Sequence, residues 1–352
     1  MNADVALIAE ANQTVGTGHL VEILEIARQA RAIGREVVVV VTPDAPSGLL
    51  ARSPVAVKAI ANMDPETLAE TAEWLMGCGV RVVLTNLRQI SNEQVCALAH
   101  AGARVVCIDE VGGRHLNCHA VINPTPIPSR HRYPSDRDGC AVYAGPAYLA
   151  LAADYARWHD TGRVYGRLIQ SVVVSMGGVD WTGATRRIVE MLGAWQSQAE
   201  RHVVVGAACP WEADLTQAIS KTPGRWHLHR NLRSLAELLA HADVGISAGG
   251  NTLSEMACVG TPALVLYEDT HEAEQATAFE ERGFGQCLGA GTAVTGAMLR
   301  RALDRLEDPA LRQAQGEAGR RLIDGRGVVR ICHILAEQLS LDCTVTTRSH
   351  AI

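Results

Sequence analysis

The sequence predicts an α/β protein built from two Rossmann-like domains facing each other across a cleft. Three observations carry that prediction. Short runs of Val, Ile, Leu and Ala are apolar on both faces, stretches of helical period separate them, and the same alternation restarts midway along the chain. The 352 residues are too many for one ordinary core and suit two domains of roughly 150 residues each.

Taken in order, Val5–Ala9 reads as the first buried strand. A helix over residues 20–33 follows, with Leu20, Ile23, Leu24, Ala27 and Ala30 on one face, and Gly34 stops it. Val37–Val41 is the second strand. Helices over residues 65–76 and Asn92–His100 precede strands over residues 80–84 and Arg104–Ile108, and residues 121–124 read as a short edge strand. Residues 124–145, rich in Pro, Ser, Arg and Asp, read as an irregular surface segment closing the first domain. The pattern restarts at Ser171–Ser175 and continues through residues 202–205 and 226–228, Val244–Ser247 and Ala263–Tyr267. A last helix over residues 315–339 is expected to cross back and brace the first domain. The expected domains are residues 1–160 and 161–341, with 342–352 a flexible tail lacking periodicity.

Composition limits the function. A hydrophobic content of 47% and a charged content of 20% describe a globular chain, and with two Phe its cores must be aliphatic. A net charge of −6 offers no basic footprint for nucleic acid, so an anionic ligand must find local donors. The ten cysteines form no C-x-x-C pair, and several sit in apolar segments such as Val106-Cys107-Ile108, which reads as reduced thiols in a cytosolic protein. The first apolar run, between Asp4 and Glu10, is expected to be a strand and not a signal peptide. No apolar stretch reaches the ~20 residues needed to span a bilayer. The expected location is the cytoplasm.

Three turns carry candidate chemistry. The strongest is Ser247-Ala248-Gly249-Gly250-Asn251-Thr252, where a strand ends in two glycines and a helix begins at once. Glycines admit close backbone approach, and the first amides of a helix form an anion site. Glu255, one turn into that helix, is placed to accept hydrogen bonds from a ribose diol. The competing reading is a plain tight turn capped by Asn251 or Thr252. Met176-Gly177-Gly178-Val179-Asp180 repeats the device at the start of the second domain. The third turn, Val15-Gly16-Thr17-Gly18-His19-Leu20, resembles half a dinucleotide fingerprint without its last glycine. A helix N-terminus disfavours an imidazolium, and a neutral imidazole is what a general base requires; the competing reading is a surface His packed against the turn. Other histidines read as structural: His115 and His119 lie in a polar loop with no second cluster to complete a metal site, and His227 and His229 share a half-exposed strand face.

These elements, taken together, resemble the PseG/SpsG nucleotide-sugar hydrolases. The resemblance is carried by Gly16-Thr17-Gly18-His19, Ile108-Asp109-Glu110, Ala144-Gly145-Pro146-Ala147-Tyr148, Gly177-Gly178-Val179-Asp180, the Gly249–Glu255 turn and Asp324-Gly325-Arg326-Gly327. It spans about residues 5–335 and implies the GT-B fold, shared with MurG-like glycosyltransferases. The best-known members cleave the anomeric C–O bond of a UDP-linked amino/deoxy sugar in pseudaminic (nonulosonic) acid synthesis for surface and flagellar glycans, with no metal or other cofactor. Carried over, His19 would activate water, and Gly249, Gly250, Asn251 and Thr252 would hold the diphosphate. Glu255 would hold the ribose, Gly178 would line the nucleotide side, and Gly16, Thr17, Gly18 and Glu22 would form the substrate-side loop.

The chain also departs from that family. Glu10 replaces an Asp, Glu22 replaces an Arg three residues after the His, and an Asp-x-Tyr is replaced around Thr85-Asn86-Leu87. His271-Glu272 replaces an Asn-Gln or Asp-Gln pair. An anion at Glu22 is expected to favour the charged form of His19 and to repel a pyrophosphate. The leading expectation is hydrolysis of a nucleotide-activated sugar. The alternatives are an inverting MurG-like glycosyltransferase and a nucleotide-sugar-binding protein without catalysis.

Overall fold

The computed structural model describes residues 3–12, 16–134, 139–180, 182–206, 209–230 and 232–341. In the first part of the chain β1 (Val5–Ala9) leads into α1 (Gly18–Ala32), β2 (Val37–Val41), the short α2 (Ser47–Leu50) and β3 (Ala56–Ala59). Then come α3 (Pro65–Gly77), β4 (Val82–Asn86), α4 (Asn92–His100), β5 (Arg104–Ile108), β6 (Ala120–Asn123) and β7 (Ala141–Ala144). The strands form one parallel sheet in the order β3-β2-β1-β4-β5-β6-β7. Strand alternation splits its core into two layers. Val5, Leu7 and Ala9 pack with Leu20, Ile23 and Ala27 of α1, whereas Ala6 and Ile8 pack with Leu68 and Leu75 of α3 and Leu98 of α4. The sequence starts its helices by familiar means. Asp64 accepts from Thr67 N at 2.8 Å ahead of Pro65, and Ser91 and Gln94 form a capping box on α4.

The second part begins with α5 (Ala153–Thr161) and β8 (Ser171–Ser175), followed by α6 (Ala184–Gly193), β9 (Glu200–Val205), α7 (Glu212–Lys221) and β10 (Arg225–Arg230). It continues through α8 (Ala236–His241), β11 (Val244–Ser247), α9 (Asn251–Val259), β12 (Ala263–Tyr267) and α10 (Thr270–Glu280). It closes with β13 (Gln286–Ala290), α11 (Gly296–Leu306) and α12 (Pro309–Leu322). Its sheet, also parallel, has the order β10-β9-β8-β11-β12-β13. Each sheet therefore reverses its strand order once, between β1 and β4 in the first and between β8 and β11 in the second. Parallel sheets leave their ligand crevice at such a point, outside the carboxyl ends of the strands.

Several expectations change. The strand expected over residues 80–84 is Val82–Asn86, because Gly79 turns the chain at φ +90° and pairing with β1 and β5 runs to Asn86. The strand at residues 121–124 is not an edge: β6 is buried along its length, and β7, hidden in the polar stretch expected to be irregular, pairs outside it. The strands expected over 202–205 and 226–228 are longer, and β3 and β13 are additional.

The helix expected over residues 315–339 is two helices, α12 and α13 (Gly327–Ser340). The chain leaves α12 at Ile323, and Gly325 adopts φ +74°. Of the described residues, 3–150 with 327–341 form one compact unit and Leu151–Arg326 the other, so the chain divides after Ala150 and again after Arg326, where a division after residue 160 was expected. α5 goes with the second unit because His159 Nδ1 lies 2.9 Å from Cys258 O of α9. α13 goes with the first, where Arg104 donates to Gln338 at 2.7 and 2.9 Å and Arg81 to Leu339 O at 3.2 Å. The expected tail, 342–352, lies outside the described residues. The described cysteines are free thiols, and Cys96 is exposed. Among the described residues no helix is long and apolar enough to cross a membrane.

Where α13 begins, a Cβ on Gly327 would lie 1.9 Å from Leu149 O. Gly327→Ala is expected to destabilise the protein by about 1–3 kcal/mol. Gly296→Ala, whose Cβ meets only Met191 at 3.6 Å or beyond, should be near neutral. Urea midpoints of the two variants check this.

Candidate functional site

In the first unit the candidate residues gather where the strand order reverses. After β1 the chain makes a small antiparallel bridge, with Asn12 N donating to Gly16 O at 3.2 Å and Gly16 N to Asn12 O at 2.9 Å. Gly16 has φ +87°, a conformation open to glycine and costly for other residues. Val15 of this turn lies outside the described residues. Thr17 stands at the N-cap of α1 without a side-chain capping bond, and Gly18 opens the helix. His19 is its second residue, half-buried.

The imidazole does not stand alone. Its Nδ1 lies 2.9 Å from Asn86 Oδ1, at the carboxyl end of β4, and Asn86 Nδ2 donates to Glu22 Oε2 at 2.8 Å. Asn86 is 1% exposed and Glu22 4%. Glu22 was expected as an anion repelling a pyrophosphate; its carboxylate is instead turned into the protein and engaged by an amide. Glu10 accepts a hydrogen bond from the Arg88 amide.

The second unit offers two glycine turns at its own reversal. After β8, Gly177 (φ +83°) and exposed Gly178 lead to Asp180, a non-glycine residue at φ +55°. Asp180 is buried, and its carboxylate accepts from Ala184 N at 2.8 Å and Thr185 N at 3.2 Å, capping α6. Burial raises its pKa. Gly206 presses on the same turn: a Cβ there would lie 2.3 Å from Gly178 O. The turn is thus held tightly, with Asp180 committed to the backbone.

After β11, Gly249 adopts φ +121° and Gly250 caps α9. Gly249 is required twice over, since a Cβ would also lie 2.9 Å from Glu272 O. Asn251 and Thr252 form the first turn, and helix geometry directs their amides out of the N-terminal end. Glu272, at the start of α10, lies against this end, with Oε1 3.7 Å from the position of a Cβ on Gly250. Its Oε2 accepts from Glu268 N at 2.7 Å, and Glu268 Oε1 accepts from Thr182 N at 3.1 Å. One chain of contacts therefore joins the turns that follow β8, β11 and β12. Burial pushes the Glu272 carboxyl up to about 7; the Glu268 amide opposes the rise, and the charges of Asp269 and Glu268 add to it.

Glu255 lies beside Asp154 and Tyr155 of α5. Burial pushes its carboxyl up to about 7, with the Tyr155 hydroxyl working against the rise and Asp154 with it. Asn86 and Glu272 entered the sequence reading only as departures from the resembled family, without a role, and Glu268 was not singled out. The one local signal for Asn86 was a polar residue closing an apolar strand.

His119, His202, His227 and His229 are occupied elsewhere. His119 Nδ1 accepts from Val105 N at 3.0 Å. On the outer strands of the second sheet His202 lies 3.0 Å from His229 and stacks on His227, and burial lowers the pKa of His202 and His229.

Two parallel α/β units, each with a glycine turn and a helix N-terminus at its strand reversal, define a class, and solved structures place the chain in it: the fold is GT-B. MurG of Acinetobacter baumannii matches 95% of this chain and 99% of its own with a TM-score of 0.70 at 13% identity. The kitacinnamycin glycotransferase matches 96% of this chain and 99% of its own with a TM-score of 0.67 at 15% identity. By sequence the chain is related to the spore coat polysaccharide biosynthesis protein SpsG of Bacillus subtilis, 28% identical over 241 residues, or 67% of this chain and 70% of SpsG. No family model matches the chain.

The carboxyls of Glu255 and Glu272 bind a proton more tightly in the folded than in the unfolded state. Their contribution to stability is therefore lost as pH rises from near 4.5 through about 7. Glu272→Gln is expected to be more stable than the parent at pH 8 by about 1–2 kcal/mol, with the difference vanishing near pH 4.5. Urea titrations at both pH values check the sign.

Proposed function

We propose that this GT-B protein acts on a nucleotide-activated sugar, with the diphosphate at the N-terminus of α9 and His19 as the base for cleavage of the anomeric C–O bond. The observation supporting this most directly is that each unit presents its candidate groups at its strand reversal, His19 with Asn86 in one and Gly249–Thr252 in the other. As the bond to the sugar breaks, negative charge grows on the departing diphosphate. Backbone amides and the dipole of α9 would stabilise it. Glu272, neutral below about pH 7, would tolerate an anion there and oppose one above that pH.

The nucleophile deprotonated by His19 is an acceptor hydroxyl or water. Transfer to an acceptor is supported by the likeness to glycosyltransferase structures and by the polysaccharide role in the name of SpsG. Hydrolysis of a UDP-linked amino/deoxy sugar, the leading expectation from the sequence, becomes the second reading, favoured by the motifs distributed from Gly16-Thr17-Gly18-His19 to Asp324-Gly325-Arg326-Gly327. In this reading Glu255 would hold the ribose and Gly178 would line the nucleotide.

A thermal-shift screen of UDP-, CMP-, GDP- and dTDP-sugars, followed by mass spectrometry with and without added acceptor alcohols, tests the proposal. At least one donor should raise the melting temperature. Sugar release without acceptor indicates hydrolysis, and consumption only with acceptor indicates transfer. A donor bound but left intact leaves a binding protein, and stabilisation by none sinks the proposal. His19→Ala is expected to lower turnover about 10²- to 10⁴-fold while retaining stabilisation by the free nucleotide.

A further inference from the structure

We propose that Glu22 and Asn86 are positioning residues that lock His19 in the tautomer with Nδ1 protonated, so that the ring acts as a base only through Nε2. The inference deepens the reading of His19 as the base and rests on it. Asn86 presents its NH2 to Glu22 Oε2 at 2.8 Å, and a carboxylate oxygen accepts. That contact leaves the amide no freedom to flip. Asn86 Oδ1 then faces His19 Nδ1 at 2.9 Å, and a carbonyl oxygen also only accepts. The proton must sit on Nδ1, and the lone pair of the neutral ring on Nε2.

The line consists of a carboxylate, an amide and an imidazole, held on α1 and the last residue of β4 with both supporting side chains buried. It is a general form of orienting a base by a third group. When the nucleophile attacks, its O–H bond breaks: the proton goes to Nε2 and the electron pair forms the new bond to the anomeric carbon. The pair of the old C–O bond leaves with the diphosphate. The positive charge gained by the ring faces the Asn86 carbonyl, polarised from behind by Glu22. An amide cannot carry a proton onward, so the line orients and stabilises without relaying it.

Two positions where the chain departs from the family it resembles thereby become one device. Glu22, in place of an Arg, and Asn86, in the stretch Thr85-Asn86-Leu87 where an Asp-x-Tyr is replaced, are hydrogen-bonded to each other.

The test uses the full chain labelled with 15N and no ligand. Long-range 1H–15N correlations report the tautomer of His19, assigned by its loss in His19→Ala, at a pH where the ring is neutral. The parent should show Nδ1–H. In Glu22→Gln, nearly isosteric and expected to fold, position 22 can donate or accept, so Asn86 can flip and the Nε2–H form should appear. With a donor from the screen, kcat of Glu22→Gln and of Asn86→Ala should fall at least about tenfold with KM unchanged. A parent in the Nε2–H form overturns the lock, and so does a Glu22→Gln variant with the parental tautomer and kcat. If the tautomer behaves as stated but His19→Ala turns over normally, the lock stands and the assignment of His19 as base falls.

Discussion

The candidate chemistry of this protein depends on where its parallel sheets reverse direction. β1 pairs on one side with β2 and on the other with β4, and β8 likewise with β9 and β11. At those points the connections leaving adjacent strand ends run to opposite sides, and no crossover covers the gap. Everything singled out follows from that. His19 begins the helix after β1, Asn86 closes β4, and the two glycine turns follow β8 and β11. The positive φ of Gly249 and the N-terminus of α9 would have little chemical meaning elsewhere on the sheet.

Around these points the protein buries carboxylates and accommodates each differently. Removing a carboxylate from water is costly unless donors replace the lost solvation. Asp180 takes its donors from the backbone of α6, stiffening the turn that contains Gly178. Glu22 takes one from Asn86 and thereby gives direction to a neighbouring imidazole. Glu272 has the Glu268 amide, yet burial and two nearby acids still raise it to about 7. In a chain of net charge −6, whether such groups are charged decides whether an anion is welcome.

Legibility varied with burial. β1, β2, β5, β8, β11 and β12 match the expected runs residue for residue, because a strand buried on both faces reads as a nearly continuous apolar run. The edge strands β3, β7 and β13 escaped. Lys58, Tyr143 and Gly289 sit in half-exposed strands whose pattern resembles that of a loop. The last helical stretch kept its period across a break, since the left-handed turn at Gly325 is set by packing against Ala156 as much as by its neighbours in sequence.

The sequence by itself determined the class of fold, the alternation of its elements, the glycine turns and the imidazole at the head of α1. Each of these is written in residues a few positions apart, through periodicity and turn chemistry. Tertiary structure decided which turn is committed to its own backbone, which acid leans on the helix N-terminus, and what Glu22 does. Spacing alone placed Glu22 one turn from His19 as an adverse charge. Its partner lies 64 residues away on another strand, and a buried polar group takes its role from the partner that packing brings to it.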